Sequence, residues 1–304
     1  MTSFTITPDG PFSLAAAAGF GFGPNTGRPV YRDAAMKLAF TTNDFAHQAD
    51  VSLNQRDDGA VTGEIDSDGD IDAITRQIAR ILSLDHSGSD WLKLGEQDAV
   101  LARLQQQFTG LRPVLFHSPY EAAAWSIISA RRQRAQGTVV RNRLAEAHGR
   151  VYGEGAEAMF AFPTPAQLLE VRELQGLDEI RIERLHAVAA AALAGDLDPA
   201  RLLALGPEEG LARLTMIPGI GPFYGTLILL RATGATDFVT GEEPRLAAYL
   251  GHLYDLGGAA TDAQIATIMD GWRPFRTWSG VLVRVAGDRL GLPHEIATRE
   301  RPRR

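Results

Sequence analysis

The sequence predicts an α+β protein, with a small N-terminal antiparallel β/α domain followed by an all-helical region in two lobes. Three observations carry this. Alternating apolar and polar residues are confined to roughly the first 70 positions. From about residue 90 onward apolar residues recur at helical spacing. Charge divides the same way: residues 1–110 hold 15 acids and 8 bases, and the remainder holds 22 of each. The reading places the domains at 1–90 and 91–296, with a basic tail over 297–304.

The first elements read as strands: SFTIT, RPVYRD, MKLAFTT and the pair ADVSLNQ/AVTGEID. The pair flanks RDDG, a hairpin turn in which Gly59 can take positive φ. Residues 71–84 then switch to a helical period, with Ile71, Ile74, Ile78, Ile81 and Leu82 on one face and Asp70 or Asp72 as cap. The acidic string EIDSDGDID (64–72) is not an EF-hand. Counting from Glu64, the twelfth place is Thr75, where calcium needs a bidentate carboxylate.

Helices are expected over 96–107, 119–134, 137–148, 165–171, 178–194, 198–203, 207–215, 222–233, 243–254, 262–270 and 274–290. Gly110, Gly149, Gly195, Gly234 and Gly257 mark stops. Ser118 and Glu121 form a capping-box pattern, and Thr164 with Pro165 starts another helix.

Composition sets limits. The 304 residues are 45% hydrophobic and 22% charged, enough for a sizeable core. There is no cysteine, which excludes disulfides, thiolate metal sites and cysteine nucleophiles. No apolar run is long enough to span a bilayer, and the first residues lack the pattern of a secretory leader, so a cytoplasmic location and no membrane partner are expected. A net charge of −7 argues against holding nucleic acid by bulk charge. Lysine occurs only at 37 and 93, so no Schiff-base lysine exists in the last two thirds.

The most informative stretch is 211–246. Leu211, Leu214 and Ile217 give an apolar helix face, and Pro218-Gly219-Ile220-Gly221 then forms a tight corner before Pro222 opens the next helix. Glycines let the backbone approach another molecule closely, and the helix start behind them presents free N–H groups and the positive end of its dipole. Phosphate is the obvious anion, and a plain helix–helix corner is the alternative. Glu242 and Glu243 follow 21 and 22 residues after Gly221.

This segment resembles the helix–hairpin–helix DNA glycosylase superfamily, most nearly the 3-methyladenine DNA glycosylase II family. GLRPVLFHSPYEAAAWSIISARR (110–132), FPTPAQLLE (162–170), GWRPFRTWSG (271–280) and PFSLAAAAGF (11–20) extend the resemblance over nearly the whole chain. It implies cleavage of the N-glycosidic bond of a flipped-out damaged base in double-stranded DNA, in base excision repair. A monomer associated with the nucleoid is implied. No cofactor is required, although relatives hold a monovalent cation through main-chain carbonyls that correspond to Ile217 and Gly219. Pro218, Gly219, Ile220 and Gly221 would grip the DNA backbone.

The resemblance makes Glu243 the catalytic acid, which stabilises the oxocarbenium charge developing on the deoxyribose. The family usually has Asp there. Phe223 stands where lyase members carry lysine, implying a monofunctional enzyme. Ala130 replaces a usual Gln, leaving Arg131 as wedge, phosphate ligand or simply an exposed helix-end charge. Arg284 replaces a pocket aromatic, where a cation facing a cationic base is unfavourable. Phe223, Trp278 and Phe20 are the other pocket candidates, with plain core as the alternative for each, and Trp125 and Trp272 read as core. Two further readings stay open: a catalytically weak or inactive paralogue that binds DNA with the same hairpin, and a glycosylase for a different lesion.

Overall fold

The computed structural model describes residues 1–20, 35–155, 158–239 and 244–293. The segment RPVYRD and the tail 297–304 lie outside these residues. The chain divides into two compact units, one of Met1–Gly88 with Arg112–Ala235, the other of Ser89–Leu111 with Thr236–Arg304.

The first unit contains a four-stranded sheet in the order β1-β4-β3-β2, from β1 (Thr2–Ile6), β2 (Met36–Thr41), β3 (Gln48–Gln55) and β4 (Val61–Asp66). Every pairing is antiparallel. Gly59 turns the β3–β4 hairpin at φ 88°, in the region that favours glycine. Asp70 caps α2 (Ile71–Ile81) by accepting from the N–H groups of Asp72 and Ala73. This helix lays Ile74, Ile78 and Ile81 against Leu38, Phe40, Val51, Leu53, Val61 and Ile65 of the sheet. Removing each such side chain from water contributes about 1.5–3 kcal/mol before ordering costs. The stretch 11–20 adds a short helix, α1 (Leu14–Ala18), because Ser13 accepts from Ala16 N–H and Gln55 accepts from Leu14 N–H.

The same unit holds most of the helices, in chain order after α3 (Gly88–Lys93) and α4 (Ala99–Gln107), which belong largely to the second unit. They are α5 (Pro119–Ser129), α6 (Arg134–His148), α7 (Pro165–Leu169), α8 (Glu179–Leu193), α9 (Pro199–Thr215) and α10 (Pro222–Ala232). A small ribbon, β5 (Val151–Tyr152) with β6 (Met159–Phe160), lies between α6 and α7. Polar staples tie the sheet and α5 to the segment before α7: Thr41 Oγ1 and Gln48 Nε2 donate to Phe162 O at 2.6 and 2.7 Å, and Tyr120 OH donates to Pro163 O at 2.9 Å.

Two expectations need correction. The helix expected over 119–134 stops at Ser129, since Arg131 takes φ 57°, and α6 begins at Arg134 rather than 137. Ser118 does cap α5, but Glu121 does not return to the Ser118 N–H as a capping box requires. Its buried carboxylate accepts instead from Thr41 N–H at 3.1 Å and from Arg141 at 3.4 Å, with His117 Nδ1 at 3.2 Å.

The expected pair over 198–203 and 207–215 forms one run, α9, broken by Gly206 at φ 75°, ψ 179°, with Pro207 restarting the helix. Gly149 ends α6 with extended backbone, whereas Gly110, Gly195, Gly234 and Gly257 take positive φ.

The second unit adds α11 (Pro244–Leu253), α12 (Asp262–Asp270) and α13 (Arg276–Arg289). Asp98 organises it. One carboxylate oxygen caps α4 through the N–H groups of Val100 and Leu101, and the other accepts from Trp272 Nε1 at 2.9 Å and from Tyr254 OH. Trp272 is fully buried there, as expected of core. Among the described residues, no helix is long and apolar enough to cross a membrane.

Candidate nucleic-acid interface

The corner between α9 and α10 is built from three buried anchors, Leu214, Ile217 and Ile220. Ile220 N–H donates to Ile217 O at 3.0 Å across Pro218 and Gly219, and Gly219 has φ 92°. This is the type II pattern, with Pro second and a positive-φ Gly third. Helices α9 and α10 pack closely because they meet at glycines. A Cβ on Gly225 would lie 2.7 Å from Leu211 Cδ1, and one on Gly210 would lie 3.0 Å from Leu229 Cδ2.

Gly221 is the N-cap of α10 at φ −91°, and no side chain among the described residues caps the helix. The first helical bond of this turn runs from Gly225 N–H to Gly221 O, which leaves the amides of Phe223 and Tyr224 without an intrahelical acceptor. A Cβ on Gly221 would meet nothing within 4 Å, so the space before these amides is open. Pro218, Gly219, Gly221 and Pro222 are exposed, and Met216 (79%) and Phe223 (75%) flank them as large apolar side chains in solvent. Phe223 touches its neighbour Tyr224 edge-on at 5.3 Å. An exposed amide-lined corner with apolar flanks can accept an anion and rest against a sugar or a base.

Arg131 stands at the α5–α6 corner, exposed and left-handed at φ 57°. That conformation costs a non-glycine residue of order 1 kcal/mol or more. The corner is held by its neighbours: Arg132 donates to Ile128 O at 2.7 Å and to Gly176 O, and Arg181 donates to Ala130 O at 3.3 Å.

Other expected residues fall elsewhere. Phe20 packs against the sheet core, with the Arg231 guanidinium 5.1 Å from its ring centroid. Burial pushes the Arg231 guanidinium down to about 9. Trp278 is 2% exposed and meets Trp91 edge-on at 5.5 Å and Phe275 at 5.3 Å, so it is a core residue of the second unit. Arg284 lies 5.6 Å from the Tyr249 ring and 3.9 Å from the Asp288 carboxylate, while Tyr249 OH donates to the same Asp288. Trp125 is buried, as expected of core. Glu242 and Glu243 lie outside the described residues.

Sequence reasoning missed the clasp that precedes these two acids. Asp237 accepts from Arg276 Nε at 2.7 Å and Nη2 at 2.9 Å. Thr277 N–H donates to Thr236 O at 2.8 Å, and Phe238 N–H donates to Thr277 Oγ1 at 2.9 Å. The start of α13 therefore ties down 236–238, a few residues before Glu243. The signal was present as an acid and an arginine, but their separation by 39 residues hid the pairing. No group of three or more His, Asp or Glu among the described residues could hold a metal ion.

No protein-family model matches the chain. A DNA-3-methyladenine glycosylase of Bacillus subtilis is 19% identical over 214 residues, covering 68% of this chain and 69% of that protein. Among solved structures, a 3-methyladenine DNA glycosylase from Archaeoglobus fulgidus superposes with a TM-score of 0.73 at 17% identity, covering 96% of this chain and 100% of that one. An 8-oxoguanine glycosylase/lyase of Clostridium acetobutylicum, in complex with double-stranded DNA containing cytosine opposite 8-oxoguanine, gives 0.56 at 18% identity over 85% of this chain and 99% of that one. The chain therefore has the α+β fold of the helix–hairpin–helix DNA glycosylases, the superfamily its sequence resembles.

Proposed function

We propose that the protein is a monofunctional DNA glycosylase that flips damaged, chiefly alkylated, bases out of duplex DNA and hydrolyses their N-glycosidic bonds. The observation that carries this reading is the exposed, uncapped start of α10 behind the Pro218–Gly221 corner, on a fold shared with glycosylases. The name of the Bacillus relative supports alkylated bases as the substrate class.

On this reading, the Phe223 and Tyr224 N–H groups donate to a phosphate, with the helix dipole adding attraction. The carbonyls of Ile217 and Gly219 then hold a monovalent cation on the same turn. Ile217 O already accepts from Ile220 N–H, and its second lone pair suits that role. Arg131, exposed at its corner, acts as wedge or backbone contact. Phe223, whose ring is largely exposed, rests on the extruded nucleotide.

Glu243 stabilises the positive charge that develops on the deoxyribose and orients the attacking water. An alkylated purine leaves as a neutral base once the bond breaks, so it needs little acid assistance. Glu reaches about 1.5 Å further than the usual Asp, judged from ordinary bond lengths. The chain has no lysine beyond Lys93, and Phe223 holds the place of the lyase lysine, which supports hydrolysis without strand cleavage. The enzyme works as a monomer in the cytoplasm, at the nucleoid.

Single-turnover excision on alkylated duplex DNA tests this. Wild type releases free base and leaves an intact abasic strand, and Glu243→Gln lowers the rate by about 100-fold or more while DNA binding persists. Strand nicking would contradict the monofunctional assignment. Equal DNA binding with no release by wild type would favour the inactive DNA-binding paralogue, a reading to which Ala130, Arg284 and the longer acid lend weight.

A further inference from the structure

Helix α8 runs between the two features that the proposed function assigns to DNA. Near its start Arg181 bonds the corner at Ala130 O, and one turn later Arg184 lies against the glycine corner. A Cβ built on Gly219 would sit 2.7 Å from Arg184 Cδ, 3.2 Å from Arg184 Nε and 2.8 Å from Ile127 Cδ1. The Arg184 stem thus occupies the space that the glycine leaves, and its guanidinium stands beside the exposed turn.

The arginines of this face divide into two kinds. Arg132 and Arg181 are committed to main-chain carbonyls, and Arg181 also pairs with Asp178. Burial, and after it the nearby charge of Arg181, lower the Arg132 pKa, with Asp178 opposing them. Arg131 and Arg184 are exposed, and neither guanidinium hydrogen-bonds or ion-pairs with a described residue.

We propose that Arg184 is a second phosphate ligand, which holds the backbone phosphate next to the one seated on the α10 amides. The chain is acidic overall, so a local cation beside the cradle supplies attraction that net charge does not. Phosphates along one strand are spaced closely enough for a long arginine and the adjacent amides to engage neighbouring groups. Gly219 then has two functions. It permits the positive-φ turn, and it leaves room for the arginine stem to reach the turn's outer edge.

This inference rests on the hairpin being the DNA interface, and one titration separates the two claims. Binding to a short undamaged duplex is followed by fluorescence anisotropy between about 0.05 and 0.2 M potassium chloride. Wild type gives a steep slope of log K against log salt. Arg184→Gln, which keeps most of the stem, lowers that slope by about one unit and weakens binding about tenfold near 0.1 M salt. Arg184→Lys restores the slope. Arg56→Ala removes one charge from the β3–β4 turn, where it pairs with Asp58, and leaves the slope unchanged. An unaltered slope in Arg184→Gln, or an equal loss in Arg56→Ala, overturns the role of Arg184 and leaves the hairpin reading standing. A wild type without salt-dependent binding overturns the hairpin reading itself.

Discussion

Two kinds of helix start occur in this protein. At α4, α8, α9 and α12 the chain supplies its own oxygen: Asp98, Asp178, Asp198 and Thr261 each accept from amides of the first turn. The start of α13, which lacks a side-chain cap of its own, is closed by Asp237 and by Thr236 O. At α10 the chain places Gly221 followed by Pro222, and among the described residues no side chain closes the turn. At those five starts at least one first-turn donor finds its acceptor within the chain. Where the donors are left outward, on an exposed turn between two glycines, they are available to an external acceptor. The difference lies in the choice of residue at one position, since Gly221 has ordinary φ and open space around it. Neither strain nor crowding requires glycine there, whereas Gly219 needs it for both reasons.

The contrast can be sharpened by disturbing residues whose roles are internal. The largest effect is expected at Glu121, whose carboxylate has left the α5 capping position for Thr41, His117 and Arg141. Burial would raise its pKa, but the charges of His117 and Arg141 and the bond from Thr41 hold it below the ordinary range. A depressed carboxylate stabilises the fold above its unfolded pKa, and the contribution is lost as pH falls through the folded value. Glu121→Gln should therefore cost about 3 kcal/mol in urea unfolding at neutral pH. The gap from wild type should close as the pH falls below about 4. A pH-independent gap would assign Glu121 a packing role only.

A smaller loss is expected for Gly219→Ala. The new Cβ meets Ile127 and Arg184 at under 3 Å, and φ 92° is unfavourable for any L side chain. A destabilisation of about 1–2 kcal/mol should appear in thermal melting, accompanied by weaker DNA binding as the turn and Arg184 shift. Unchanged binding would separate the turn from the DNA surface.

Much of the fold was legible because local chemistry announced it. Asp70, Thr164 and Pro165 mark helix starts by their own hydrogen-bonding habits, and the alternation in β3 mirrors its buried Ala49, Val51 and Leu53. The α5–α6 corner was hidden. Its break requires Arg131 in a left-handed conformation, which arginine does not advertise, and the polar run after Ile128 suits helix as well as turn. Glu121 misled because its spacing from Ser118 fits a capping box, while its partners at Thr41 and Arg141 are distant in sequence. At the site, the glycine corner was readable from Pro-Gly-Ile-Gly. Arg184 was not, because its place beside Gly219 depends on how α8 packs. Phe223 was expected in a pocket and has a largely exposed ring.

The central claim is that the uncapped start of α10 is kept open for a phosphate. Gly221→Asp tests it by giving this helix the cap that its counterparts have, at a position where a Cβ meets nothing. A cap oxygen on the Phe223 or Tyr224 amide should leave stability unchanged or raise it by a few tenths of a kcal/mol. The same oxygen should displace and repel the DNA backbone, weakening duplex binding by about tenfold or more at about 0.1 M salt. The predicted result is a protein at least as stable as wild type that has lost most of its DNA affinity. A Gly221→Asp protein that melts like wild type and binds DNA equally well would contradict the account.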